Sequence, residues 1–116
     1  MRSISQRIWS IKHHPVGVQG YININKIHIS KDFLDTTPKV WKVREYYNRY
    51  FQNDGCIDKP ITVCKNGHSH TFELKDGYIR FLIIKYNIER YQEEFNCTYS
   101  QVPNRFKMLP VKFVKE

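Results

Sequence analysis

Apolar residues recur along this chain with two different periods, and the periods divide it into elements. Between Tyr21 and Ile29, Ile22 and Ile24 alternate with asparagines while Ile27 and Ile29 bracket His28, which predicts one opening strand. Further on, Val40, Val43, Tyr47, Tyr50 and Phe51 fall at offsets of three, seven, ten and eleven, a single helical stripe. Thr37 and Pro38 predict the start of that helix, because a threonine oxygen can accept a first-turn amide and proline presets the backbone angle of the first helical position. Asn53, Asp54 and Gly55 predict its stop.

The second half reads as a hairpin joined directly to a helix. Ile61 to Cys64 is a short strand, Asn66 and Gly67 lie in the turn, and His70 to Leu74 is the returning strand. Asp76 and Gly77 then open a helix whose buried stripe is Ile79, Leu82, Ile83 and Tyr86, with Asp76 as the cap. Asn87 is expected to end it in a left-handed conformation, and Ile88, Tyr91 and Phe95 suggest a further amphipathic helical segment. Residues 96 to 103 read as loop. Leu109 to Val114 alternates as a final strand, and Pro110 places its start near a sheet edge. The expected architecture is a single α+β domain, a small mixed sheet packed with helices, spanning residues 21–116 behind an arm of residues 1–20.

A chain of 116 residues builds one core, and 41% hydrophobic, 26% charged and 15% aromatic residues exclude a disordered or fibrous protein. Charge changes the picture more. The net charge of +8 favours polyanionic partners, and residues 1 to 31 hold Arg2, Arg7, Lys12, Lys26 and Lys31 with no acidic residue. Arg2, Arg7 and Lys12 on the arm, with Arg44 and Arg49 on the first helix, are the candidate nucleic-acid surface, against the plainer reading of a solvated polar face. Apolar runs such as Phe81 to Ile84 are far too short to span a bilayer, no signal-peptide core precedes them, and three cysteines suggest no disulfide framework, so a cytoplasmic protein without membrane partners is expected. Cys56, Cys64, His68 and His70 match no paired Cys-x-x-Cys spacing, and no metal site is assigned to them.

The junction Asp76-Gly77-Tyr78-Ile79-Arg80 carries the strongest chemical signal. A helix amino terminus offers unpaired amides and the positive end of its dipole, glycine admits an anion to the backbone, and an arginine one turn in can fork onto two phosphate oxygens. The plainer alternative is a capped helix with an exposed arginine.

The order of pieces around that junction resembles the ParB amino-terminal and sulfiredoxin superfamily from about Tyr21 to Val114. The resemblance rests on the opening Ile-Asn-Lys-Ile-His-Ile, the helix ending in Asn-Asp-Gly, and Lys59-Pro60-Ile61-Thr62-Val63, which is similar to the family's Gln-Pro-Ile-x-Val strand. It continues through the Gly77-x-x-Arg80 signature and closes on Leu109-Pro110-Val111, like the family's Ile-Pro-Val. The pieces fit a small stand-alone ParB-like protein of a bacterium or mobile element better than a full partition protein.

The resemblance implies a triphosphate site for CTP or ATP with Mg2+, in which Gly77 and Arg80 hold phosphate, Asp76 caps the helix, and Lys42, or in second place Lys39, joins from the preceding helix. Departures from the family narrow the activity. Tyr78 and Ile79 stand where sulfiredoxin has its attacking cysteine, which removes sulfur repair, and Phe81 replaces the second arginine of partition proteins. Turnover stays open. Nucleotide hydrolysis or phosphotransfer fits better than nuclease action, because no Asp/Glu cluster has two-metal spacing, and Glu73 is the candidate carboxylate. The leading expectation is a nucleotide-binding accessory protein that also meets nucleic acid. The alternative is a protein-interaction module on the same scaffold that has lost the nucleotide.

Overall fold

The computed structural model describes residues 15–53, 55–67 and 70–115. Five strands, β1 (Gly20–Asn23), β2 (Ile27–His28), β3 (Ile61–Lys65), β4 (Phe72–Asp76) and β5 (Met108–Phe113), form one mixed sheet in the order β1-β5-β3-β4-β2. Strand β5 runs antiparallel to β1 and parallel to β3, while β4 runs antiparallel to β3 and parallel to β2. Among the described residues three α-helices accompany the sheet: α1 (Lys31–Leu34), α2 (Val40–Gln52) and α3 (Tyr78–Phe95). Ile61, Val63, Leu74, Ile83, Leu109 and Val111 form the fully buried centre where α3 meets β3, β4 and β5.

The stretch expected as one strand is two strands on opposite edges of the sheet. Asn23 accepts the amide of Asn25 on its Oδ1 at 3.0 Å, and a 3-10 turn over Ile24–Lys26 follows. Ile22, Ile24 and Ile27 are all buried, so the spacing changes from two to three where the strand breaks.

Helix α2 starts later than Thr37 and Pro38 suggested. The carbonyl of Lys39 takes the first amides, those of Lys42 and Val43, which leaves Thr37 and Pro38 outside the helix. The stop is as expected, with Gly55 at φ 76 and its amide donating to the Tyr50 carbonyl. The hairpin turn is also as expected, Gly67 taking φ 57 and the Asn66 amide reaching the Thr71 carbonyl.

Helix α3 does not end at Asn87. It runs unbroken for 18 residues, because Ile84 and Ile88, one turn apart across Asn87, are both buried. Burying an isoleucine contributes roughly 1.5–3 kcal/mol, and asparagine costs a helix interior less than about 0.7. Asn96, at φ 47, provides the left-handed stop instead. The buried stripe is Phe81, Leu82, Ile83, Ile84 and Ile88, whereas Tyr86, placed on it from sequence, is exposed. Arg90 donates to the Tyr47 hydroxyl and ties α3 to α2.

Pro110 lies in an interior strand, not at an edge: β5 is flanked by β1 and β3, and Tyr21 stands opposite Pro110. A strand residue points its amide at one neighbour only, so proline here forfeits a single ladder bond. Ahead of β1, the Gln19 amide donates to the Val111 carbonyl at 2.9 Å and its side chain accepts the Phe113 amide at 2.8 Å, so the last residues expected in the arm are tied to the sheet. The rest of the arm, residues 1–14, lies outside the described residues. Among the described residues no helix is long and apolar enough to cross a membrane.

Candidate functional site

The junction between β4 and α3 is a tight left-handed corner. Gly77 takes φ 97 and ψ 31 as the N-cap of α3, and its carbonyl accepts the Phe81 amide at 3.0 Å. A Cβ at this position would stand 2.8 Å from Ile61 Cγ2 and 2.8 Å from Arg80 Nη1, so the corner requires glycine for space as well as conformation. No side chain caps the helix and no acidic residue stands in its first turn, which leaves first-turn amides without an intrahelical or side-chain acceptor. The expected capping by Asp76 is therefore corrected. Asp76 is the last residue of β4, exposed and paired in register with Thr62, because Gly77 occupies the cap position itself.

Arg80, one turn into α3, is held from one side only. Its Nη1 donates to the Pro60 carbonyl at 3.1 Å, while its buried Nε has no partner among the described residues. Its guanidinium centre lies 5.9 Å from the centroid of the Tyr46 ring on α2. Arg49 approaches the same ring at 5.1 Å. Two guanidinium groups thus share one ring, and Arg49 alone of them is offset, by Glu45 at 2.7 Å. The arrangement concentrates positive charge beside the uncapped turn of α3.

Lys42 precedes Tyr46 by one turn and neighbours it on the α2 surface, whereas Lys39 stands just before α2, seven residues from Tyr46; both are exposed. Arg44 is two residues from Tyr46 and lies off the Tyr46 side of α2, next to Trp41 three residues before it. Arg49, expected on a nucleic-acid surface, approaches the Tyr46 ring together with Arg80. Arg2, Arg7 and Lys12 lie outside the described residues. Glu73 alternates with the buried Leu74, so it faces away from the core, where it pairs with Lys75 at 3.9 Å. Among the described residues no group of three or more His, Cys, Asp or Glu could hold a metal ion.

The two residues between Gly77 and Arg80 point inward. Tyr78 packs on Phe33 with ring centroids 5.4 Å apart and lies 6.4 Å from Phe81, and Ile79 packs against the core. Sequence reasoning missed Tyr46 and the Pro60 carbonyl. The spacing of Lys42, Tyr46 and Arg49 by four and three residues was the available signal for the first; the second is a backbone group and left none.

No family model and no curated protein matches the sequence. Solved structures resemble the fold. The chain superposes on the C-terminally truncated chromosome-partitioning protein ParB from Caulobacter crescentus, complexed with CTP-gamma-S, with a TM-score of 0.54 and 12% identity, covering 84% of this chain and 44% of that one. It also superposes on SbnI with C-terminal truncation from Staphylococcus aureus, with a TM-score of 0.50 and 18% identity, covering 84% of this chain and 30% of that one. The chain spans less than half the length of either neighbour. These likenesses carry the fold: a small mixed α/β domain with a ParB-like arrangement of sheet and helices.

Proposed function

We propose that the corner formed by Gly77 and Arg80 binds the phosphates of a nucleoside triphosphate, CTP or ATP with Mg2+, and that the chain is a nucleotide-binding accessory protein. The observation that carries this reading is the unpartnered Nε of Arg80 beside an uncapped helix amino terminus. A phosphate there would satisfy the Nε donor and the first-turn amides together, and buried donors left unpaired are costly. Arg49 and Lys42 would add charge from α2, and Gly77 would admit the anion to the backbone. The neighbouring fold that holds CTP-gamma-S supports the ligand class.

The inward packing of Tyr78 and Ile79 favours a second reading, a protein-interaction module without nucleotide, since Arg80 is the one charged side chain in the first turn of α3. Retention of labelled CTP and ATP by the purified protein, with and without Mg2+, separates the two. Saturable binding of one nucleotide that is lost in Arg80→Ala supports the triphosphate site. Absence of saturable binding for both removes it.

A further inference from the structure

The surface leading into α2 holds an exposed indole, Trp41, that the triphosphate reading does not use. Val40 and Trp41, the first two residues of α2, are 67% and 62% exposed, and Leu34 at the end of α1 is 63% exposed. An indole left this far in water loses the burial that usually decides where tryptophan sits. Lys39, Lys42 and Arg44, all exposed, interleave with Val40 and Trp41 over six consecutive positions. Arg44 is three residues from Trp41 and neighbours it on the helix surface. No acidic residue stands in the first turn of α2, and Glu45, the acid nearest in sequence, is engaged by Arg49. Asp32 and Asp35 lie on and just after α1.

An exposed aromatic face among unpaired cations is complementary to a chain that offers phosphates and unstacked bases together. A duplex presents phosphates but keeps its bases stacked, and an acidic protein presents carboxylates without bases. We infer that the start of α2 is a docking surface for single-stranded nucleic acid, with a base stacked on Trp41 and the backbone phosphates on Lys39, Lys42 and Arg44. Trp41 and Arg44 take no part in the triphosphate reading, whereas Lys42 is common to the two, so the variants that decide this inference are those of Trp41 and Arg44.

The test uses the full chain carrying Trp9→Phe, so that Trp41 is the one indole, titrated with oligothymidylate and oligouridylate and with a duplex of the same length. Both single strands are expected to quench Trp41, with duplex weaker, and the logarithm of affinity should fall against that of salt with a slope of about −2, as three neutralised phosphates imply. Trp41→Ala, read by anisotropy of labelled oligonucleotide, is expected to weaken binding by roughly 5- to 150-fold, while Trp41→Phe retains most of it. Arg44→Ala should reduce the salt slope. Absence of quenching at low salt, equal affinity for duplex and single strand, or unchanged affinity in Trp41→Ala would each overturn the inference. The melting response to nucleotide in the same samples reports separately on the Arg80 site.

Discussion

Gly77 and Arg80 are locked together: a Cβ on the glycine would stand 2.8 Å from the arginine's Nη1. Ile61, which is fully buried, closes the other side at the same distance. Gly77→Ala therefore meets both a positive φ and a contact that only movement of Arg80 or the core relieves. It is expected to cost about 1–3 kcal/mol, a drop of several degrees in Tm on thermal melting. It should also weaken nucleotide binding at the proposed site, since it displaces the side chain that would hold phosphate there.

Tyr46 is expected to act through its ring. Removal of the ring in Tyr46→Leu takes away the face that Arg49 and Arg80 both approach, and cation–π contacts of this kind contribute about 0.5–1 kcal/mol at exposed positions. Nucleotide affinity measured by calorimetry should fall about two- to fivefold in Tyr46→Leu and stay unchanged in Tyr46→Phe.

Tyr50 gives the fold an alkaline limit. Burial first, then the nearby Cys56 and Tyr47, push its hydroxyl from the ordinary 10.0 to about 12. A raised folded-state value means that the native state holds the proton more tightly. The stability is complete below pH 10 and is lost as pH rises towards about 12, on the order of 2–3 kcal/mol. Denaturant midpoints measured from pH 9 to 12 should fall less steeply in Tyr50→Phe than in the parent chain.

Elements with a self-contained local signal were legible in the sequence. The α2 stripe of Val43, Tyr47 and Tyr50 with its glycine stop, the Asn66-Gly67 turn, and β5 each need only a few neighbouring residues to define them. Features set by partners distant in the chain were not. Asn87 and Asn96 carry the same local preference, and the buried pair Ile84 and Ile88 decides between them. The break between Ile24 and Ile27 depends on β2 finding β4 at the far edge, and Pro110 is interior because β1 returns to cover β5. At the site, the Gly77 corner and Arg80 were legible because they belong to one short motif. Its partners on α2, Tyr46 and Arg49, reach Arg80 only through the packing of α2 against α3.

The central claim is most directly tested by the melting temperature of the purified protein with CTP, ATP, GTP and UTP, each with Mg2+, beside Arg80→Ala. A ligand at a hundred times its Kd stabilises the native state by roughly 2.7 kcal/mol, which moves a domain of this size by several degrees. A rise with CTP or ATP that vanishes in a folded Arg80→Ala variant is the expected result. A parent protein that melts at the same temperature with all four nucleotides, or an Arg80→Ala variant that keeps the full rise, would contradict a phosphate site at this corner.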